Sequence, residues 1–138
     1  GEYIVDAGCG SGILSIGAAK LGARSIFAMD VDDVAVKVAR ENILLNGLQD
    51  VIEVEEGDIV EVLHSKKADM ILANITAEVV IHLIPEAAKV LPSGGYFFGS
   101  GIVDSRWPGV EQQLHKHGFI IEQVLNDVDW IGVAARKA

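Results

Sequence analysis

The chain has 138 residues, half of them hydrophobic, and carries 11 Lys plus Arg against 20 Asp plus Glu, for a formal net charge of −9. About 150 residues suffice for one globular core, and no apolar run approaches the ~18 residues of a membrane span, so two large domains and a membrane protein are excluded. The acidic balance argues against a large phosphate-binding surface and suits a basic partner. A chain of this size buries enough surface to need no disulfide or structural metal, and the lone Cys9 closes no intrachain disulfide. No secretory signal is recognisable, and we expect a cytoplasmic protein.

Short β-rich runs alternate with helical patterns. Strands are predicted at residues 3–6, 25–30, 51–55, 69–74, 95–100, 119–125 and 130–136. Helices are predicted after the first, second, fourth and fifth strands, at residues 12–21, 33–46, 76–91 and 109–117. The first helix is apolar nearly all round, which suits close packing on a sheet. Pro85 predicts a break or kink in the third helix, with Ile84 pushed away from helical geometry.

The alternation of strands and helices predicts the fold class. Strand–helix–strand units favour a parallel sheet with helices on both faces. Residues 126–129 leave room only for a hairpin, so the last two strands are antiparallel. We therefore predict an α/β, doubly wound, Rossmann-like sheet of seven mostly parallel strands with a C-terminal antiparallel hairpin. Ligands of such sheets bind beyond the carboxyl ends of the strands, where the strand order reverses.

A glycine-rich loop follows the first strand. Gly8, Gly10 and Gly12 let the backbone turn sharply and expose bare amide N–H groups to a ligand at the start of a helix. The spacing differs from a dinucleotide fingerprint, which requires a glycine at the position of Ile13. Asp6 stands just before the loop and would repel a diphosphate. An ammonium or sulfonium cation suits it better.

Polar side chains also end the next three strands. Asp30 is suited to accept both hydroxyls of a ribose, or it caps the following helix. Asp58 is suited to accept a hydrogen bond from a ligand's exocyclic amine, and Ile59 could pack against the aromatic ring of that ligand. A plain helix N-cap explains Asp58 almost equally well. Asn74 offers an amide oxygen to a substrate amine, or it caps the helix that follows.

These landmarks and the terminal hairpin resemble the class I S-adenosylmethionine-dependent methyltransferases over the whole chain. Within that class the chain looks like the PrmA family, the bacterial methyltransferases of ribosomal protein L-eleven. The motifs that carry this likeness are Asp-Ala-Gly-Cys-Gly-Ser-Gly-Ile-Leu-Ser-Ile from Asp6, Glu41-Asn42 followed by Asn46, Leu72-Ala73-Asn74-Ile75, Ser100-Gly101-Ile102 and Trp130.

The resemblance implies S-adenosyl-L-methionine as the cofactor and S-adenosylhomocysteine as its product, with Asn74 as the catalytic residue and no metal. The glycines would line the methionine and ribose portion, with Asp6 near the ammonium and Asp30 on the ribose diol. Asp58 and Ile59 would meet adenine, and Asn74 the methyl group and the entering amine. The implied cofactor-binding residues are Asp6, Gly8, Cys9, Gly10, Gly12, Asp30, Val31, Asp58, Ile59 and Asn74.

By the same resemblance, residues 1–138 form the cofactor-binding methyltransferase domain, and the family's N-terminal substrate-recruiting domain is expected to be absent. The implied reaction methylates α-amino and lysine groups of a basic ribosomal protein. A small-molecule methyltransferase and a cofactor-binding module without catalysis remain alternatives. Base-methylating relatives carry prolines and an aromatic residue after the asparagine, where this chain has Ile75 and Thr76, so no direct nucleic-acid binding is expected. The oligomeric state stays open.

Overall fold

Seven strands form one sheet in the computed structural model, which describes residues 2–138. They are β1 (Tyr3–Ala7), β2 (Ser25–Asp30), β3 (Ile52–Glu56), β4 (Met70–Asn74), β5 (Tyr96–Val103), β6 (Phe119–Asp127) and β7 (Trp130–Lys137). Their order is β3-β2-β1-β4-β5-β7-β6. The first five strands are parallel, while β7 runs antiparallel to both β5 and β6. The predicted fold class and terminal hairpin are confirmed.

Five α-helices connect the strands. They are α1 (Ile13–Lys20), α2 (Asp33–Leu45), α3 (Ile59–Val62), α4 (Ala77–Val90) and α5 (Trp107–Lys116), with single 3-10 turns at Leu63–Ser65 and Asp104–Arg106. The sequence shows no helix-length pattern after β3, because a four-residue helix is too short to show helical periodicity, and only the N-cap alternative for Asp58 allowed for α3. None of the helices between residues 2 and 138 has the length and apolar character needed to cross a bilayer.

The sheet is buried on both faces by different helices. On one face α1 and α2 pack over β1, β2 and β3, and the α2 contribution is Val36, Ala39 and Ile43. On the other face α3, α4 and α5 cover a larger core that includes Leu83 and Val110. Burial on both faces explains why β1, β2 and β4 are mostly apolar in sequence and do not alternate with polar residues.

Helix α1 is less deeply packed than its composition predicted. Ser15 is its only fully buried residue, whereas Ile13 is 73% and Leu14 is 44% exposed. Ile16 and Ala19 pack partly against the α2-side core. The prediction of a helix pressed closely against the sheet therefore holds for one side of α1 only.

The predicted break at Pro85 is wrong, because α4 continues through it and Ile84 is fully buried within the helix. Proline lacks the N–H that would bond to the carbonyl four residues earlier, which belongs to Ile81. Gln113 of α5 donates from Nε2 to that carbonyl at 3.3 Å. A side chain from the neighbouring helix thus replaces the missing helical bond, and α4 stays intact.

This replacement predicts a coupling between Gln113 and Pro85. Gln113→Ala should lower the free energy of unfolding by about 1 kcal/mol, the usual contribution of one hydrogen bond. In a Pro85→Ala background the Ile81 carbonyl regains its helical partner, so the same change should cost less. Urea unfolding of the two single variants and the double variant measures the difference. An equal cost of Gln113→Ala in both backgrounds would contradict this account.

Candidate functional site

A cavity of about 170 Å³ opens where the strand order reverses. From β1 the chain first builds the sheet through β2 to β3, and it then returns to add β4 on the other side of β1. The crevice at such a switch point is the usual ligand site of a doubly wound sheet. Its lining residues are Gly8, Met29, Asp30, Val31, Gly57, Asp58, Ile59, Asn74, Ile75 and Val79.

The glycine loop is bonded to the end of β2. The amides of Gly8 and Cys9 donate to the Met29 carbonyl at 2.8 and 3.1 Å, and the Gly10 amide donates to Asp30 Oδ2 at 2.9 Å. The prediction that the loop presents bare amides to a ligand is therefore wrong for these three residues. The end of β2 lies beside the loop and uses its donors, so the loop is no anion cradle of the pyrophosphate-binding kind.

The three loop glycines have different roles. Gly8 has a φ of +75°, and a Cβ there would overlap Cγ2 of Ile75, so only glycine fits. Gly12 has a φ of +86°, and its Cβ would lie 3.4 Å from that of Ala39, which shows how closely this start of α1 packs on α2. Gly10 faces open space. Of the three, only Gly8 lines the cavity.

Asp30 connects the loop to the cavity. Besides accepting from Gly10, its carboxylate accepts the amide of Asp32 through Oδ1 at 3.0 Å. Asp32 is the N-cap of α2 and accepts from Val34, so Asp30 does not cap that helix. A carboxylate offers about four acceptor positions, and half-buried Asp30 retains capacity for a ligand's hydroxyls. Its neighbour Val31 also lines the cavity and is 74% exposed.

Asp58 combines both roles that the sequence left open. It is the N-cap of α3, and its Oδ1 accepts from the Val60 amide at 2.9 Å. It also lines the cavity, where its second oxygen is available to a ligand. Ile59 is 5% exposed and forms part of the apolar wall beside it.

Asn74 ends β4 with an exposed side chain on the cavity. The N-cap position of α4 belongs to Thr76, so Asn74 does not cap that helix. Its amide is placed where it meets both the cavity and solvent.

Asp6 is fully buried beneath the loop and is not among the lining residues. Its Oδ2 accepts from Ser15 Oγ at 2.7 Å, whereas Oδ1 has no hydrogen-bond partner among residues 2–138. Burial raises the pKa of this carboxyl above its ordinary value, and the charge of Asp30 adds to the increase, while the bond from Ser15 opposes it. A buried acceptor without a donor among residues 2–138 thus lies beneath the loop that borders the cavity.

Cys9 also lies outside the lining, with its side chain in the α2-side core. Burial raises the pKa of the Cys9 thiol to about 12, and the charges of Asp6 and Asp30 contribute. The nucleophilic thiolate is therefore scarce at neutral pH. Cys9 takes part in the loop through its backbone amide, and its Sγ donates to the Gly10 carbonyl at 3.9 Å.

Sequence reasoning did not identify four of the lining residues, namely Met29, Gly57, Ile75 and Val79. Met29, Gly57 and Ile75 are immediate neighbours of the predicted site residues Asp30, Asp58 and Asn74, so their position beside those residues could have identified them. Val79 enters from α4 and only the packing of that helix brings it to the cavity.

Two other features do not compete with this site. A larger cavity of about 370 Å³ lies against α1, β4, β5, β6 and β7, but its lining is apolar apart from Ser100 and Gln123 and contains no carboxylate. Within residues 2–138 no group of three or more His, Cys, Asp or Glu side chains is arranged to hold a metal ion. The switch-point cavity, by contrast, is lined by two carboxylates and a side-chain amide, those of Asp30, Asp58 and Asn74.

The raised pKa of Asp6 predicts a specific pH dependence. The folded protein binds this proton more tightly than the unfolded chain, so the contribution of Asp6 to stability falls as pH rises from the ordinary pKa of 3.8 through the raised one. Asp6→Asn lacks this pH-dependent contribution. The free energy of unfolding of Asp6→Asn minus that of the unmodified chain should therefore increase as pH rises through this range. Urea unfolding from pH 4 upward measures this difference.

Ser15→Ala is the matched variant for this test. The hydrogen bond from Ser15 lowers the Asp6 pKa, so its removal should raise that pKa further and move the pH dependence to higher pH. The loss of the bond should also destabilise the protein by about 1–3 kcal/mol at neutral pH. A difference between Asp6→Asn and the unmodified chain that does not vary with pH would contradict the burial argument.

Sheet order, the antiparallel end and the position of the cavity define the chain as a class I methyltransferase fold. The family model for ribosomal protein L11 methyltransferase (PrmA) matches residues 1–138, and the chain belongs to this family.

Individual relatives agree with this assignment. The chain is 73% identical over 137 residues to a ribosomal protein L11 methyltransferase of Syntrophomonas wolfei, covering 99% of this chain and 45% of that protein. It is 41% identical to one of Shouchella clausii, of which it covers 44%. The crystal structure of ribosomal protein L11 methylase from Lactobacillus delbrueckii superimposes with a TM-score of 0.90 at 38% identity, over 99% of this chain and 71% of that one. The chain thus spans less than half the length of the curated relatives from Syntrophomonas wolfei and Shouchella clausii.

Proposed function

We propose that this chain is the S-adenosylmethionine-binding catalytic domain of a methyltransferase that modifies amino groups of ribosomal protein L11. The proposal extends what the names of its relatives say to a chain that covers under half of their length. The observation that carries it is the chemistry of the switch-point cavity. Two carboxylates line it while three amides of the glycine loop are already bonded within the protein, which favours a ligand with a cation and hydroxyls over a diphosphate.

The residues present fit this cofactor. Asp30 retains acceptor capacity for the ribose hydroxyls, and the free oxygen of Asp58 suits the exocyclic amine of adenine beside Ile59. Oδ1 of Asp6, which has no hydrogen-bond partner in the described part of the chain, would accept from a water that also bonds the methionine ammonium. When bound, S-adenosylmethionine supplies an electrophilic methyl group on a sulfonium centre and leaves as S-adenosylhomocysteine.

Asn74 is the proposed catalytic residue. Its amide oxygen is suited to orient an entering amine, and positioning of two reactants contributes much of the acceleration of such transfers. An amide does not take up a proton at neutral pH. The proton that the substrate amine loses therefore passes to the solvent that reaches Asn74. An α-amino group with a pKa near ~8 is about one-tenth neutral at pH 7, and a lysine near ~10.4 is neutral less than about a thousandth of the time. Lysine therefore depends more on the site to desolvate it.

Charge and sequence favour a protein acceptor. The net charge of −9 complements a basic ribosomal protein and is unfavourable for nucleic acid. Ile75 and Thr76 follow Asn74 and provide no aromatic surface on which a flipped base could stack. We also place the protein in the cytoplasm, because its proposed substrate is a ribosomal protein.

Calorimetry tests the cofactor assignment. Asp30→Ala should weaken binding of S-adenosylmethionine and S-adenosylhomocysteine roughly 10- to 100-fold, because hydrogen bonds to a charged group contribute about 1.5–3 kcal/mol. Asp32→Ala removes the same charge two residues away, outside the cavity lining, and should leave the affinity nearly unchanged. Binding of NAD alone would exclude the methyltransferase proposal, and equal affinities of the two variants would exclude the role of Asp30.

Labelled methyl transfer tests the reaction itself. With purified L11, Asn74→Ala should reduce turnover at least tenfold while the dissociation constant for cofactor changes about twofold or less, because an orienting contact contributes mainly in the transition state. The unmodified chain should be assayed alone and in the longer form of its relatives. Transfer to a small metabolite and to no protein would favour a small-molecule methyltransferase. Cofactor binding without transfer in either form would favour a binding module.

A further inference from the structure

The β5 strand contains a bulge beside Asn74. Gly99 pairs with Val133 and Ile102 pairs with Ile131, so Ser100 and Gly101 together oppose the single residue between those partners on β7. Gly101 has a φ of +74°, in the left-handed region that favours glycine. On the other edge of β5, Ser100 is in register with Asn74 of β4. Bulges commonly redirect side chains next to functional sites.

The missing side chain of Gly101 leaves space that Asn74 uses. A Cβ at Gly101 would lie 2.8 Å from Asn74 Oδ1 and 4.0 Å from its Cγ, closer than real Cβ atoms approach an oxygen. The nearest backbone atom to such a Cβ is the Ile75 carbonyl oxygen at 3.9 Å, which is an ordinary contact. The only atom in conflict is therefore the free end of the Asn74 side chain, which would rotate away while the backbone stayed in place.

We propose that Gly101 is a positioning residue that holds open the space in which the Asn74 carboxamide faces the cavity. This rests on the proposed function in one respect, namely that Asn74 orients the entering amine. Gly101 itself does not line the cavity. It acts through Asn74, and it does so because the bulge brings a position without a side chain next to the amide oxygen.

Glycine at this position also relieves backbone strain, and the test separates the two effects. Gly47 follows α2 with a φ of +67°, and a Cβ there would meet nothing within 4 Å. Gly47→Ala therefore introduces the same kind of left-handed strain without touching any side chain. Gly101→Ala and Gly47→Ala should be destabilised to a similar extent, and only the former should affect Asn74.

The side-chain amide resonances of Asn74 provide a readout that needs no activity. In a ¹⁵N spectrum of the full chain they are identified by their loss in Asn74→Ala. Gly101→Ala should shift this pair, and Gly47→Ala should not. Unshifted resonances in folded Gly101→Ala would overturn the proposal. If Gly101→Ala fails to fold, Gly101→Asn replaces it, because asparagine tolerates the left-handed region and still carries the Cβ.

Kinetics then tests whether the displacement matters for transfer. Gly101→Ala should lower kcat at least tenfold with little change in cofactor affinity, and Gly101→Ala with Asn74→Ala should be no slower than Asn74→Ala alone. Multiplied losses in the double variant, or an unchanged kcat, would overturn the positioning role. If the unmodified chain transfers no methyl in any form, the proposed function fails, and the amide resonances alone decide whether Gly101 positions Asn74.

Discussion

The site depends on the hydrogen bonds that attach the glycine loop to the end of β2. The Met29 carbonyl accepts two loop amides and the Asp30 carboxylate accepts a third, so the loop lies against the strand that borders the cavity. This attachment places Gly8 close against Ile75 at the end of β4 and thereby forms one wall of the cavity. It also uses the donors that an anion would require. One arrangement therefore sets both the shape of the site and the charge of the ligand that suits it.

Electrostatics at the site follow from where each acid lies. Asp30 and Asp58 line the cavity and each keeps acceptor capacity beyond the backbone amides that it binds. Asp6 is fully buried and only half satisfied by Ser15, an unfavourable state that a cationic ligand nearby would relieve. The same burial and charge keep Cys9 protonated. The region is thus suited to a positively charged ligand and unsuited to thiol chemistry.

The end of β4 lies between two glycines from different strands. Gly8, after β1, has no room for a side chain because of Ile75, and Gly101, in the β5 bulge, has none because of Asn74. Both have positive φ values that favour glycine. The proposed transfer of a methyl group to an amine depends on alignment, so the two glycines would serve it by restricting where the Asn74 amide lies.

The sequence by itself determined the fold class, the seven strands, four of the helices and the position of Asp30, Asp58 and Asn74 at strand ends, because hydrophobic periodicity and chain punctuation are local signals. Local signals did not reveal that the loop amides are bonded to β2 or that Gly12 packs on Ala39. Nor did they reveal that Gln113 bonds the carbonyl of Ile81, 32 residues away, and so accommodates Pro85 within α4. These features were decided by tertiary structure alone, because each depends on a contact between segments distant in sequence that form only when the helices and strands pack.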